Sequence, residues 1–199
     1  MNIAMAFVDY IPVVMFLVAA IILQRDLYRS MSKGAFALFS AGTITVFVAG
    51  LFKATWKLLY ALGICDFVAL NKCFFPMQTV GFVLAAAGVV AMLCYRQGKG
   101  TMYSVAAAPA AFTSNMPFVV LMVLGVAALD ISLCVVSKRR KATGAMLLYL
   151  VSFVFIMGMG YLSSRDFAQA SMNWIAEGVN IIGQGSFLAA SVLMHKKAV

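Results

Sequence analysis

The chain predicts an all-α, polytopic membrane protein, and three observations carry that prediction. Its residues are 64% hydrophobic and only 11% charged, with a mean hydropathy of +1.01. The apolar residues form near-continuous runs, several long enough as helices to cross a hydrocarbon layer of about 30 Å. The polar interruptions between them are too brief for a soluble domain, so whatever the protein does it does in or at the lipid bilayer. A net charge of +9 would suggest nucleic acid in a soluble protein. Here the basic residues sit at the ends of apolar runs and read as topology signals, so no nucleic-acid partner is expected.

The first span covers about residues 9–28 and is closed by Arg25, Arg29 and Lys33. Asp9, three residues before Pro12, reads as a helix N-cap. The N-terminal stretch has no basic region or small-residue cleavage site, and reads as part of an uncleaved span. A second span, 34–60, is long enough to project Lys53, Trp56 and Lys57 beyond the hydrocarbon or into a vestibule. The connection 61–76 holds Cys65 and Cys73, which an oxidising compartment would allow to pair. A third span, 77–95, ends at Arg96 and Lys99. Residues 101–114 are apolar and uncharged but short and broken by Pro109, so they form a loop, a re-entrant segment or a thin crossing. Further spans follow at 115–136, closed by the basic run 138–141, then at 144–162 and at 172–194, closed by His195, Lys196 and Lys197. Cys94 and Cys134 lie within spans and read as buried thiols.

Charge distribution separates seven crossings from six. With six, the fifteen Lys and Arg divide nine to six, which hardly discriminates between orientations. If residues 101–114 cross and the N-terminus lies outside, eleven basic residues fall inside and only Lys53, Lys57, Lys72 and Arg165 fall outside. The reading is therefore seven spans in a plasma or cytoplasmic membrane, N-terminus outside and C-terminus cytoplasmic, with six spans as the alternative.

An internal repeat points the same way. Asp9-Tyr10-Ile11-Pro12 resembles Ser114-Asn115-Met116-Pro117, and residues 34–39 match 144–149 without a gap. Gly50 then matches Gly160, and Gln78-Thr79-Val80-Gly81 matches Asn180-Ile181-Ile182-Gly183. The predicted organisation is a three-helix repeat over 1–100, a linker segment or short crossing over 101–114, and a second three-helix repeat over 115–199. Two parallel copies need an odd crossing between them to restore orientation. This 3+1+3 layout resembles the SWEET sugar transporters and the PnuC vitamin transporters over the whole chain, in architecture and not in motif. The proline-glutamine pair of SWEET repeats is not matched, since Val13 follows Pro12 and Phe118 follows Pro117.

The last span carries the main functional signal. At ~100° per residue, Asn173, Glu177, Asn180, Gln184 and Ser191 fall within roughly 60° of one another on the helical wheel. The stripe extends over about 27 Å at ~1.5 Å per residue, so headgroups cannot accommodate all of it. Such side chains either bind neighbouring helices as interhelical glue or line a watery path. Glu177 favours the path. Its candidate cations are Lys53, Lys57 and Arg165, and pairing with Lys53 or Lys57 is expected because these stand one turn apart on one helix. Asp130 would pair with a basic residue at the inner boundary or titrate during transport. Gln78 and Asn180 occupy equivalent repeat positions and form the preferred solute-binding pair.

The expected function is a small transporter or facilitator for a polar or amphipathic solute, bound between the repeats by Gln78, Glu177, Asn180, Gln184 and Trp174. Trp174 also belongs with Trp56, Tyr60 and Tyr161 to an aromatic belt. Alternatives are a substrate-binding or accessory subunit of a larger complex, resembling the six-helix S-components of energy-coupling-factor transporters, and an intramembrane enzyme acting on lipid through Glu177 and Asp130. Self-association or a partner subunit is compatible with each. No cofactor or metal is expected, because His195 is the single histidine and sits beside two lysines. The common catalytic templates find no match, and no lysine lies mid-way along the final span to hold retinal.

Overall fold

The computed structural model describes residues 3–94, 116–162 and 170–197. These are helical nearly throughout: α1 (Ile3–Val8), α2 (Tyr10–Leu27), α3 (Lys33–Ala61), α4 (Val68–Lys72), α5 (Phe74–Cys94), α6 (Met116–Arg139), α7 (Thr143–Leu162) and α8 (Ala170–Lys196), with a short 3-10 turn at Tyr28–Ser30. In lipid a backbone must satisfy its own hydrogen bonds, which is why long apolar runs become helices. Stacking α1 on α2 and α4 on α5 reduces the eight segments to six rods. Four are long and apolar enough to cross a membrane: Ile3–Ser30, Lys33–Ala61, Val68–Cys94 and Pro117–Arg139. Thr143–Met159 is a shorter apolar helix, and the polar stripe dilutes α8. The rods' outward surfaces are apolar all round, with Phe7, Ile21, Ile44, Leu124, Leu147 and Val154 exposed, as a surface facing lipid requires.

Prolines break two of the rods in the same way. Pro12 and Pro76 each stand at the third position of their helix, where the ring crowds the carbonyl four residues back, on Val8 and Lys72. The helix therefore breaks at Asp9 and at Cys73, both of which keep helical backbone angles. Two expectations are corrected here. Asp9 makes no side-chain cap hydrogen bond, so the residue that spacing suggested as an N-cap is free for another use. The third rod starts at Val68, well inside the stretch 61–76 expected to be a connection. Ser32 is a true cap, its Oγ accepting from the Ala35 N–H at 3.2 Å.

Two turns close their helices by one hydrogen-bond pattern. After α3, Gly63 takes φ 69° while Ile64 N–H reaches Leu59 O and Gly63 N–H reaches Tyr60 O. After α6, Lys141 takes φ 58° while Ala142 N–H reaches Ser137 O and Lys141 N–H reaches Lys138 O. Both are Schellman endings, and only the first has the glycine that suits a left-handed residue.

The rods form a ring in which α2 meets α3, α3 meets α5, α5 meets α6, α6 meets α7, α7 meets α8, and α8 returns to α2. Side-chain contacts fix the directions. Along α2 and α3, Gln24 bonds Thr43 while Tyr10 bonds Thr55, so these helices are antiparallel. Along α5 and α6, Thr79 Oγ1 donates to Phe118 O at 2.7 Å, and Gly125 packs on Phe82 and Val83, so these run parallel. Phe16 stacks on Phe187 while Asp26 meets His195, so α2 and α8 are also parallel. One end of the bundle carries Asp9, Lys57 and Glu177 and the other carries Asp26, Arg140 and His195; they are called the Lys57 end and the His195 end below.

Lipid tails are as apolar as leucine, so helices in a membrane associate through close packing and interhelical hydrogen bonds. The α3–α5 joint shows the first. A Cβ on Gly42 would lie 2.3 Å from Ala85 N and 2.5 Å from Gly81 O, and one on Gly88 would lie 2.7 Å from Ala35 O and Phe39 N. The α7–α8 joint shows the second, with Tyr149 Oη and Ser191 Oγ 3.1 Å apart. Its glycines are looser: a Cβ on Gly183 would meet Ile156 and Phe155 side chains at 3.4 Å.

Candidate functional site

A cavity of about 380 Å³ opens inside the ring toward the Lys57 end, and all six rods contribute to its lining. That volume is within the usual range for small-molecule sites. Its deepest lining residues are Phe16 on α2, Val46 on α3, Phe82 on α5, Val126 on α6, Ile156 on α7 and Gln184 on α8. Below them the bundle closes. Phe16 meets Phe82 edge-on at 6.2 Å and stacks on Phe187 at 5.9 Å, and Tyr149 meets Phe187 edge-on at 5.4 Å. Leu23, Leu27, Leu129 and Leu133 fill the level beneath.

Four charged side chains surround the upper part. Lys57 Nζ lies 2.5 Å from Asp9 Oδ2 and 3.1 Å from Glu177 Oε1, so one ammonium holds two carboxylates, the three groups coming from three different rods. Both carboxylates are buried, Asp9 at 6% and Glu177 at 7% exposure. Lys53, one turn earlier on α3, lies over the Phe74 ring with 3.9 Å to its centroid and 5.8 Å from that of Phe75. Such ring faces attract a cation without cancelling its charge.

The predicted solute-binding residues are brought together with one exception. Gln78, Glu177, Asn180 and Gln184 all line the cavity, as do Lys53 and Lys57. Trp174 does not: it is 45% exposed on the outer side of α8, which corrects its assignment to the site. The stripe on α8 faces inward and divides along its length. Glu177, Asn180 and Gln184 face the cavity, whereas Ser191 is fully buried between Tyr149 and its own Phe187 carbonyl. Glu177 Oε2 and Gln184 Oε1 are buried and accept no hydrogen bond from the described residues.

Asp130 lies outside this site, one turn beyond Val126 on α6. It is 2% exposed, lines no part of the cavity, and its Oδ2 has no hydrogen-bond partner among the described residues. Its expected basic partner is not found among them. The pairing at the His195 end belongs instead to Asp26, whose Oδ1 lies 2.7 Å from His195 Nδ1 and whose carbonyl accepts from Arg140 Nη2 at 3.2 Å. Glu177 and Asp130 thus act at different levels, and no bond could lie between them. Among the described residues no group of three His, Cys, Asp or Glu is placed to hold a metal.

Cys65 and Cys73 are free and exposed, without the bond an oxidising compartment would permit. Cys134 is buried, but Cys94 is exposed, contrary to its reading as a buried thiol. The short segment 101–114, Arg96, Lys99 and Arg165 lie outside the described residues, as does the side chain of Tyr161. What sequence reasoning missed is Asp9 and the ring of phenylalanines, Phe16, Phe47, Phe74, Phe75 and Phe82. A signal existed for Asp9, which stands at the same end of its span as Lys57 and Glu177 do of theirs. The phenylalanines carry none, because apolar residues in an apolar helix do not announce which face they share. Compared with models of known families, with curated proteins and with solved structures, the chain matches none.

Proposed function

We propose that this chain is a small membrane transporter or facilitator that carries a polar or amphipathic solute, bound in the cavity between two parallel three-helix units. The observation that carries the reading is the cavity itself: polar and charged groups from four of the six rods face one shared space, with α6 and α7 adding only apolar side chains to its wall. A bundle held only by interhelical hydrogen bonds would pair those groups with one another. Here three amides, Gln78 from α5 and Asn180 and Gln184 from α8, line open volume instead.

The seven-span, 3+1+3 layout is part of the proposal. Its support is the parallel run of α5 with α6 and of α2 with α8. Cys94 and Met116 then belong at opposite ends of the bundle, so the chain between them, which holds the proposed linker crossing 101–114, has to pass from one end to the other. The repeat alignment has support of its own. Gly81 packs on Val46 in the first unit, and Gly183 packs on Ile156 in the second, at positions the alignment makes equivalent. With the basic residues inside, the Lys57 end and the cavity mouth face outward.

Thermal stabilisation of the purified protein by members of a metabolite panel tests the function. A solute that stabilises wild type but not Asn180→Leu supports the site; equal stabilisation of both overturns it. Cysteines at Lys99 and Ser114 test the layout. Labelling from opposite faces is expected, and labelling from one face would return the chain to six spans. Co-purification of an ATPase would favour the accessory-subunit alternative.

A further inference from the structure

The cavity presents its two kinds of charge at two different levels. Lys57 is held by Asp9 and Glu177 together, so the carboxylates there outnumber the cation between them. Lys53, about 6 Å away along α3, has no carboxylate within ion-pair distance among the described residues and rests on the Phe74 ring. Glu177, 7% exposed, keeps Oε2 without a hydrogen-bond donor although it lines the cavity. Buried acceptors normally have donors. The site therefore lacks a donor beside Glu177 and an anion beside Lys53, and beyond both lies an apolar wall that includes Phe16, Phe82, Val126 and Ile156.

We propose that the solute is a small amphipathic zwitterion. Its protonated amine donates to Glu177 Oε2, its acid group meets Lys53, and an aromatic or aliphatic body lies on the apolar wall. An amine without an acid would be drawn to Glu177 and repelled by Lys53 one turn away. An acid without an amine would meet Lys53 and be repelled by Asp9 and Glu177. Only a molecule carrying both charges gains at each level. The inference rests on the solute-site reading above and narrows it to one class.

Four probes test it on the full chain in lipid nanodiscs: phenylalanine and leucine, which carry both charges, phenylacetate, which carries the acid alone, and phenethylamine, which carries the amine alone. Calorimetric titration is expected to show a zwitterion binding at least tenfold more tightly than either singly charged probe. Lys53→Met should reduce phenylalanine toward phenethylamine, and Glu177→Gln should reduce it toward phenylacetate. The comparison among probes on wild type needs no variant, so it holds whether or not these variants fold. If a singly charged probe binds as tightly as the zwitterions, the zwitterion claim is overturned and the solute site stands. If none of the four binds, the claim is overturned as well, and the solute site is then judged on the wider panel with Asn180→Leu.

Discussion

At the His195 end of the bundle, polar side chains reach across helix joints to one another: Tyr149 to Ser191, Gln24 to Thr43, Asp26 to His195. Aromatic and leucine side chains fill the space between, and glycine backbones press together where α3 meets α5. At the Lys57 end Asp9, Lys53, Lys57 and Glu177, with the amides Gln78, Asn180 and Gln184, surround a cavity instead. The same stripe on α8 belongs to both regions, its Ser191 acting as glue and its Glu177, Asn180 and Gln184 lining open space. Inward-facing polarity in a membrane helix therefore has no single meaning. What decides is whether the neighbouring helices approach closely enough at that level to supply a partner.

The comparison can be broken most severely in the closed region. Gly42→Val would drive a side chain into the backbone of α5 at Ala85 and Gly81, neither of which can yield as a side-chain tip can. A loss of about 3 kcal/mol or more is expected, read as a collapse of thermal stability in detergent. Gly183→Ala, which meets only side chains at 3.4 Å, should cost about 1 kcal/mol or less. Equal losses would show the two joints to be packed alike.

Next in size is the charge cluster. Lys57→Met leaves Asp9 and Glu177 buried together without their shared cation, and a loss of about 3–5 kcal/mol is expected if the site is dry. Glu177→Gln leaves Lys57 still paired with Asp9 and should cost about half as much or less, a difference that hydration of the cavity would shrink. Unfolding midpoints of the two variants, measured side by side, check the order. If Glu177→Gln is the more damaging, Asp9 is not a real partner of Lys57. Smaller again is Tyr149→Phe, which removes one hydrogen bond in the sealed region and should cost about 1 kcal/mol. The smallest effect has the opposite sign. Lys141→Gly relieves a left-handed residue at the end of α6 and should stabilise the protein by about 0.5–1 kcal/mol, as a raised unfolding midpoint would show.

Much of this was legible in the residues. Runs of apolar side chains mark rods, and a wheel places Glu177, Asn180 and Gln184 on one face, because both are properties of a single helix. The short choice of cations near the start of α8 also made Lys57 a natural neighbour for Glu177, and the structure puts them 3.1 Å apart. What could not be read depends on how different rods meet. Asp9 has the local spacing of a cap, and only the approach of α3 and α8 reveals it beside Lys57. Trp174 is three residues from Glu177, about 60° round the helix at ~100° per residue, and that rotation is enough to leave it exposed and outside the cavity lining. Asp130 stands within two turns of a basic run whose side chains are turned elsewhere. The start of the third rod was hidden as well, since 61–76 reads as a connection ending at Pro76, whereas Val68–Lys72 is already helical before it.

Whether the upper part of the α8 stripe is wet decides between a solute path and interhelical glue, and thiol labelling measures it directly. With the four native cysteines replaced by alanine, single cysteines at Asn180, Gln184 and Ser191 would be exposed to a membrane-impermeant maleimide in intact cells and in inverted vesicles. Water in the cavity makes Asn180→Cys and Gln184→Cys react from the face that carries Lys57, while Ser191→Cys, sealed beside Tyr149, stays unlabelled from either side. If cysteines at 180 and 184 prove as inert as the one at 191, the stripe is dry along its whole length and the cavity is no solute site.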